Sequence, residues 1–108
     1  MITDSSTLPI KDLGGGVTRK VLTYSKDLMA CELTFEKGSI GALHHHPHEQ
    51  IGYVVSGSFE VEEKGIGKKI VKAGDTYHIA PNVEHGVVAL EKSKLIDIFT
   101  PMRKDFIG

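Results

Sequence analysis

Met29, Cys31, Leu33 and Phe35 alternate with Ala30, Glu32, Thr34 and Glu36, an apolar side chain at every second position. A period of two belongs to a half-buried β-strand, because successive side chains of an extended chain leave on opposite faces. The pattern recurs in short pieces down the chain. Ile51 to Val55 ends at Ser56-Gly57, and Phe59 and Val61 alternate with Glu60 and Glu62 before Lys64-Gly65. Ile70-Val71 runs into Ala73-Gly74-Asp75, and Tyr77 and Ile79 alternate with Thr76 and His78 up to Pro81-Asn82. Val87 to Leu90 and Leu95 to Phe99 complete the series. Short strands at this spacing, divided by Gly, Pro and Asn, predict an all-β sandwich or barrel. The 12 glycines suit the positive φ angles of its tight turns. Only the first dozen residues and Lys104 to Gly108 leave room for helix, and neither stretch carries a persuasive helical pattern.

A length of 108 residues predicts one domain, 1–108, with a single modest core. Formal charge is −1 without a basic stripe, which argues against a nucleic-acid footprint. No run approaches the ~20 apolar residues of a membrane span. Met1 to Leu13 has no apolar stretch of signal-peptide length, so the expected setting is the cytoplasm. Cys31 is the one cysteine, which leaves neither an internal disulfide nor a Cys-rich zinc module.

Four of the six histidines fall in Leu43-His44-His45-His46-Pro47-His48-Glu49. In an extended strand His44 and His46 share a face and can reach a common ion at roughly 2.1 Å from each nitrogen. Gln50 keeps their parity, although Pro47 predicts a bend between them. A further ligand has to come from elsewhere, and His85 follows the separate turn at Pro81-Asn82. The competing reading is a solvated histidine run. Its mid-chain position between Gly38 and Gly41 on one side and Ile51 to Val55 on the other places it inside the β framework.

Gly38, His44, His46, Gln50 and Gly57 keep every spacing of the first cupin motif, and the chain resembles that family. The second motif resembles Gly74, Ala80-Pro81-Asn82 and His85. Together the motifs span 38–89. The resemblance implies a small cupin β-barrel, a double-stranded β-helix or jelly roll. It also implies one divalent transition-metal ion held by His44, His46, Gln50 and His85. Nickel, zinc, iron and manganese all fit this expectation, and the sequence does not choose among them. Asn82 stands at the motif's turn glycine, where Asn tolerates the left-handed region. Gln50 stands at the glutamate ligand, so a neutral ligand set leaves an ion its full +2 charge and its pull on carboxylates. Opposite parity turns His45 away, and the motif does not use His48 or Glu49.

Asp97, between Ile96 and Ile98, shares a face with Leu95 and Phe99. It is either a structural ion-pair member or an interior proton donor and acceptor. His46 to Gly57 and the tail from Leu95 to Arg103 resemble the small pectin-degradation cupins, which linearise 4,5-unsaturated monouronates to open-chain keto sugar acids. That resemblance implies Asp97, Phe99 and Arg103 in the pocket, with Asp97 and Arg103 catalytic and Phe99 and Arg103 on the substrate. Arg103 offers a planar fork for a carboxylate. His78 is a further pocket candidate through its parity with Thr76, and Tyr53 is read as packing. The expected partner is a small anionic sugar, with no nucleic acid and no membrane. A homodimer is expected through an added strand, for which Val17 to Thr23 is the candidate. The alternatives are another metal-dependent cupin enzyme, isomerase or dioxygenase, and a non-catalytic cupin that binds a sugar acid.

Overall fold

The chain folds into ten strands in a computed structural model that describes residues 1–107. They are β1 (Lys11–Gly14), β2 (Val17–Tyr24), β3 (Met29–Phe35), β4 (Ile40–His44) and β5 (Glu49–Ser56). β6 (Ser58–Glu63), β7 (Gly67–Lys72), β8 (Thr76–Ile79), β9 (His85–Ala89) and β10 (Ser93–Thr100) follow. Each expected strand is present. Six strands form one antiparallel sheet in the order β1-β2-β3-β10-β5-β8, and four form a second in the order β4-β9-β6-β7. The class is all-β, and the only helical pieces among the described residues are 3₁₀ turns at Ser5–Thr7 and Lys104–Phe106. Both lie in the two stretches that left room for helix. Gly108, the end of the second stretch, lies outside the described residues.

The sheets close over Val17, Phe35, Val54, Phe59, Val61, Val87, Ala89 and Leu95, with Phe35 and Phe59 edge to face at 5.1 Å. Full burial of a side chain such as Phe59 contributes about 1.5–3 kcal/mol. A second cluster of Met29, Cys31 and Phe99 packs against Met102 and Phe106. The register of the large sheet sets its inward side chains in rows. One row runs Arg19, Leu33, Leu95 and Val54; the next runs Val21, Cys31, Asp97, Gly52 and Tyr77; a third runs Met29, Phe99, Gln50 and Ile79. Polar residues in these rows mark where the interior is not simply core.

Asn82 has φ 64°, the left-handed conformation expected at that turn. Val17 to Thr23, the candidate dimer strand, lies in β2, which pairs with β3 and, over Val17–Arg19, with β1. No helix among the described residues is long and apolar enough to cross a membrane.

Candidate metal centre and its cavity

His44 closes β4 and His85 opens β9, and the antiparallel register sets the two opposite each other. Gly86 allows this approach, because a Cβ there would sit 2.8 Å from the Gly41 carbonyl oxygen. His46 lies in the connection between β4 and β5, and Gln50 belongs to the other sheet. Strand parity is therefore not what gathers these residues. The bend at Pro47 carries the chain from one sheet to the other, and the backbone N–H of Asn82 donates to the His46 carbonyl at 2.8 Å.

The result is a cluster in which one ring nitrogen each of His44, His46 and His85 lie within 4.8 Å of one another. His46 and His85 are buried, and His44 opens outward. Each Nδ1 meets a backbone carbonyl: Ala42 at 2.8 Å for His44, His48 at 2.9 Å for His46 and Val83 at 2.8 Å for His85. A carbonyl only accepts, so Nδ1 carries the proton in each neutral ring and Nε2 presents a lone pair. Burial pulls the pKa of His46 and His85 below the ordinary histidine value, against hydrogen bonds that raise it, and so favours the neutral form.

Two observations show that these residues suit a cation. The Nε2 of His85 is buried without a hydrogen-bond partner. The Nε2 of His46 lies 2.9 Å from Oε1 of Gln50, which sets two acceptors face to face. The amide orientation has its own anchor, since Nε2 of Gln50 donates to Oδ1 of Asp97 at 2.9 Å. Two ligand atoms each ~2.1 Å from one ion stand roughly 3 Å apart, so a shared cation turns this repulsion into attraction. Imidazole and amide donors are compatible with a divalent transition ion.

Asp97 is buried in the next layer, and Oδ1 also accepts from the Tyr77 hydroxyl at 3.3 Å. Both bonds fall on Oδ1, which leaves Oδ2 as the carboxyl oxygen free for a proton. Burial raises the Asp97 pKa to about 6, although the Gln50 and Tyr77 hydrogen bonds and Arg103 oppose the rise. Tyr77 is pushed well above its ordinary value by burial and then by the Asp97 charge, so its hydroxyl stays a donor. Gly52 makes room for it, because a Cβ there would run into the Tyr77 ring. Burial, followed by the Asp97 charge, lifts Cys31 to about 11, which disfavours a thiolate nucleophile or ligand.

A cavity of about 310 Å³ opens beside these groups, lined among others by His44, Gln50, Tyr77, His85, Asp97, Phe99, Arg103 and Phe106. Asp97, Phe99 and Arg103 thus line one space with His44 and His85 of the histidine cluster. Arg103 is tied to Asp105 by two bonds, Nε at 3.2 Å and Nη2 at 2.9 Å, and its guanidinium lies over Phe106 at 4.2 Å.

His78 is not brought there. It points outward from β8, pairs with Glu49 and leaves 55% of its side chain exposed. The parity expectation failed because Tyr77 and Ile79 take the inward face. Tyr53 is exposed on the outer face. His45 is exposed, and His48 is half-buried outside the cluster. Tyr77 is a site residue that the sequence pattern did not single out. Its signal was the apolar Tyr77/Ile79 alternation, which assigns the inward face to those two and not to His78.

The family model described as Cupin domain matches residues 31–99. The pectin degradation protein KdgF of Dickeya dadantii is 50% identical over 101 residues, 92% of this chain and 91% of the relative. The solved structure of KdgF from a Halomonas species superposes with a TM-score of 0.93 at 39% identity, covering 98% of this chain and 97% of that one. An RmlC-like cupin from Shewanella frigidimarina gives a TM-score of 0.92 at 40% identity, over 96% and 93% of the two chains.

Proposed function

The chain belongs to the cupin family, alongside the KdgF pectin degradation proteins, and from that premise we propose that it linearises 4,5-unsaturated monouronates to open-chain keto sugar acids. The observation that carries the reading is the buried sequence Gln50–Asp97–Tyr77 beside the three-histidine cluster. It sets a carboxyl whose pKa burial raises toward neutrality and a candidate cation site against one cavity, in a chain sharing half its residues with a pectin degradation protein.

In this proposal His44, His46, His85 and Gln50 hold one divalent ion. When bound, the ion supplies Lewis acidity toward a substrate oxygen. Asp97 delivers the proton on Oδ2 to C4 of the C4=C5 bond, and water adds at C5 while its proton returns to Asp97. The Gln50 amide and the Tyr77 hydroxyl hold Oδ1 and so aim Oδ2. The C5 hemiketal then opens by breaking the bond to the ring oxygen, which takes the C5 hydroxyl proton and stays on C1. C1 now carries two hydroxyls and releases water as it becomes an aldehyde, so no atoms are gained or lost overall. Phe99 packs on the sugar, and Arg103 adds positive charge beside it. The partner is a small anionic sugar, and self-association is proposed through the edge of β2 beyond its pairing with β1.

Adding the metal-loaded protein to unsaturated galacturonate is expected to remove the absorbance of the conjugated enol acid without oxygen uptake. Chelation should abolish the loss, and restoring the ion should bring it back. Persistence of the absorbance with nickel, zinc, iron and manganese each tried would refute the reading.

Gln50→Glu tests the neutral ligand set. A carboxylate there adds a charge beside the ion, so affinity should tighten by about tenfold, equivalent to ~1.4 kcal/mol. It also replaces the amide donor that meets Asp97 at 2.9 Å with a second carboxylate, and two such groups compete for one proton. Turnover should therefore fall although metal is held better. A chelator-competition titration and steady-state kinetics read the two effects separately, and equal turnover would exclude the amide from the mechanism.

A further inference from the structure

Arg19 is the charged member of an otherwise apolar row, Arg19–Leu33–Leu95–Val54, on the inward face of the large sheet. It lines the same cavity as the histidine cluster and is half-buried. A guanidinium placed among apolar side chains normally has a carboxylate to offset the lost hydration. No ion pair joins Arg19 to a carboxylate among the described residues. What holds it is a ring: the Arg19 guanidinium lies 3.6 Å from the centre of Phe106. Arg103 lies over the same ring at 4.2 Å, so Phe106 carries both guanidiniums. The two differ in what remains available. Asp105 already engages Nε and Nη2 of Arg103, whereas the fork of Arg19 makes no hydrogen bond or ion pair among the described residues.

We infer that Arg19 is the carboxylate receptor of this cavity, offering its open fork to the acid group of the ligand while Phe106 fixes its plane. Arg103, neutralised in part by Asp105, adds charge behind it. The ligand class is a small molecule with a carboxylate at one end and hydroxyls at the other. The choice of a sugar acid rests on the function proposed above; the anion receptor itself does not. A planar fork on an aromatic plate is preorganised, so little rotamer entropy is lost when two parallel N–H···O bonds form. Burial also lowers the pKa of Arg19, which reflects a charge short of hydration.

Saturated galacturonate and its neutral methyl ester are the probes, titrated calorimetrically into metal-loaded protein. The parent should bind the acid at least about tenfold more tightly than the ester. Arg19→Gln and Arg19→Lys should each lose most of that preference, the lysine because a point charge does not replace a fork. Metal content and thermal melts, matched to the parent, assign the loss to Arg19 and not to the ion or the fold. Phe106→Leu keeps both arginines and removes the plate, and an intermediate loss is expected. In turnover assays the Arg19 variants should raise KM more than they lower kcat, and more than Arg103→Lys does. A preference retained in both Arg19 variants, or absent from the parent, would overturn the inference. Preference lost in the variants while the parent fails to consume unsaturated galacturonate would sustain the receptor and remove the proposed reaction.

Discussion

Asp97→Asn is expected to lower turnover on unsaturated galacturonate by roughly 100-fold or more with the metal retained, the range lost when a general acid–base is removed. The substitution preserves the oxygen that accepts from Gln50 at 2.9 Å and from Tyr77 at 3.3 Å, so the local hydrogen bonds survive. What disappears is the capacity of the other oxygen to take up and release a proton. A structural role for Asp97 predicts the opposite pairing of effects, activity per folded molecule unchanged and stability reduced. The two are separated by measuring kcat and a thermal melt on the same preparation.

The melt carries its own sign. Burial raises the Asp97 pKa from 3.8 to about 6, so the metal-free native state binds this proton more tightly than the unfolded chain. Such a group favours folding at low pH, and its contribution is lost as pH rises from the unfolded to the folded value. A difference of about two pKa units corresponds to ~3 kcal/mol at most. Metal-free Asp97→Asn should accordingly melt at or above the parent at pH 8, with the difference shrinking toward pH 4. A variant that melts well below the parent at pH 8 would make the carboxylate a structural anchor.

Strands such as Met29–Phe35 and Leu95–Phe99 were legible because their interior positions follow the two-residue period, whereas β1 is exposed throughout and carries no such signal. Turn chemistry was legible for the same local reason, as Asn82 at φ 64° shows. The approach of His85 to His44 was not readable by period, since it depends on β9 pairing with β4 across the 40 residues that separate them. Motif spacing supplied it instead. Parity misled at His78, within one strand, and was right by coincidence where the chain changed sheets. His44, His46 and Gln50 converge through a bend and two different sheets, so their shared parity agreed with the outcome for a reason unrelated to it. Arg19 was invisible for a third reason. Val17, Arg19 and Val21 alternate with Thr18, Lys20 and Leu22, and neither face is clearly apolar. Only the rows formed with β3 and β10 reveal which way the guanidinium points.

His46→Ala and His85→Ala should each abolish the stabilisation that a divalent ion gives this protein. The buried Nε2 of His85 lacks a partner and that of His46 faces an acceptor, so the metal-free centre is held at a cost. An ion that binds only the folded chain adds about 2.7 kcal/mol when present at 100 times its Kd. For a domain of this size that raises Tm by roughly 10–20 °C. Removing either buried imidazole takes away one ligand and opens a gap beside the others, so the shift should vanish and metal content after dialysis should collapse. His45→Ala and His78→Ala serve as controls, because His45 is exposed outside the cluster and His78 pairs with Glu49 on the outer face. Both should keep the full shift. Scanning fluorimetry with each of nickel, zinc, iron and manganese checks the set in one experiment. The metal centre fails if no ion moves the parent, or if the shift survives loss of both His46 and His85.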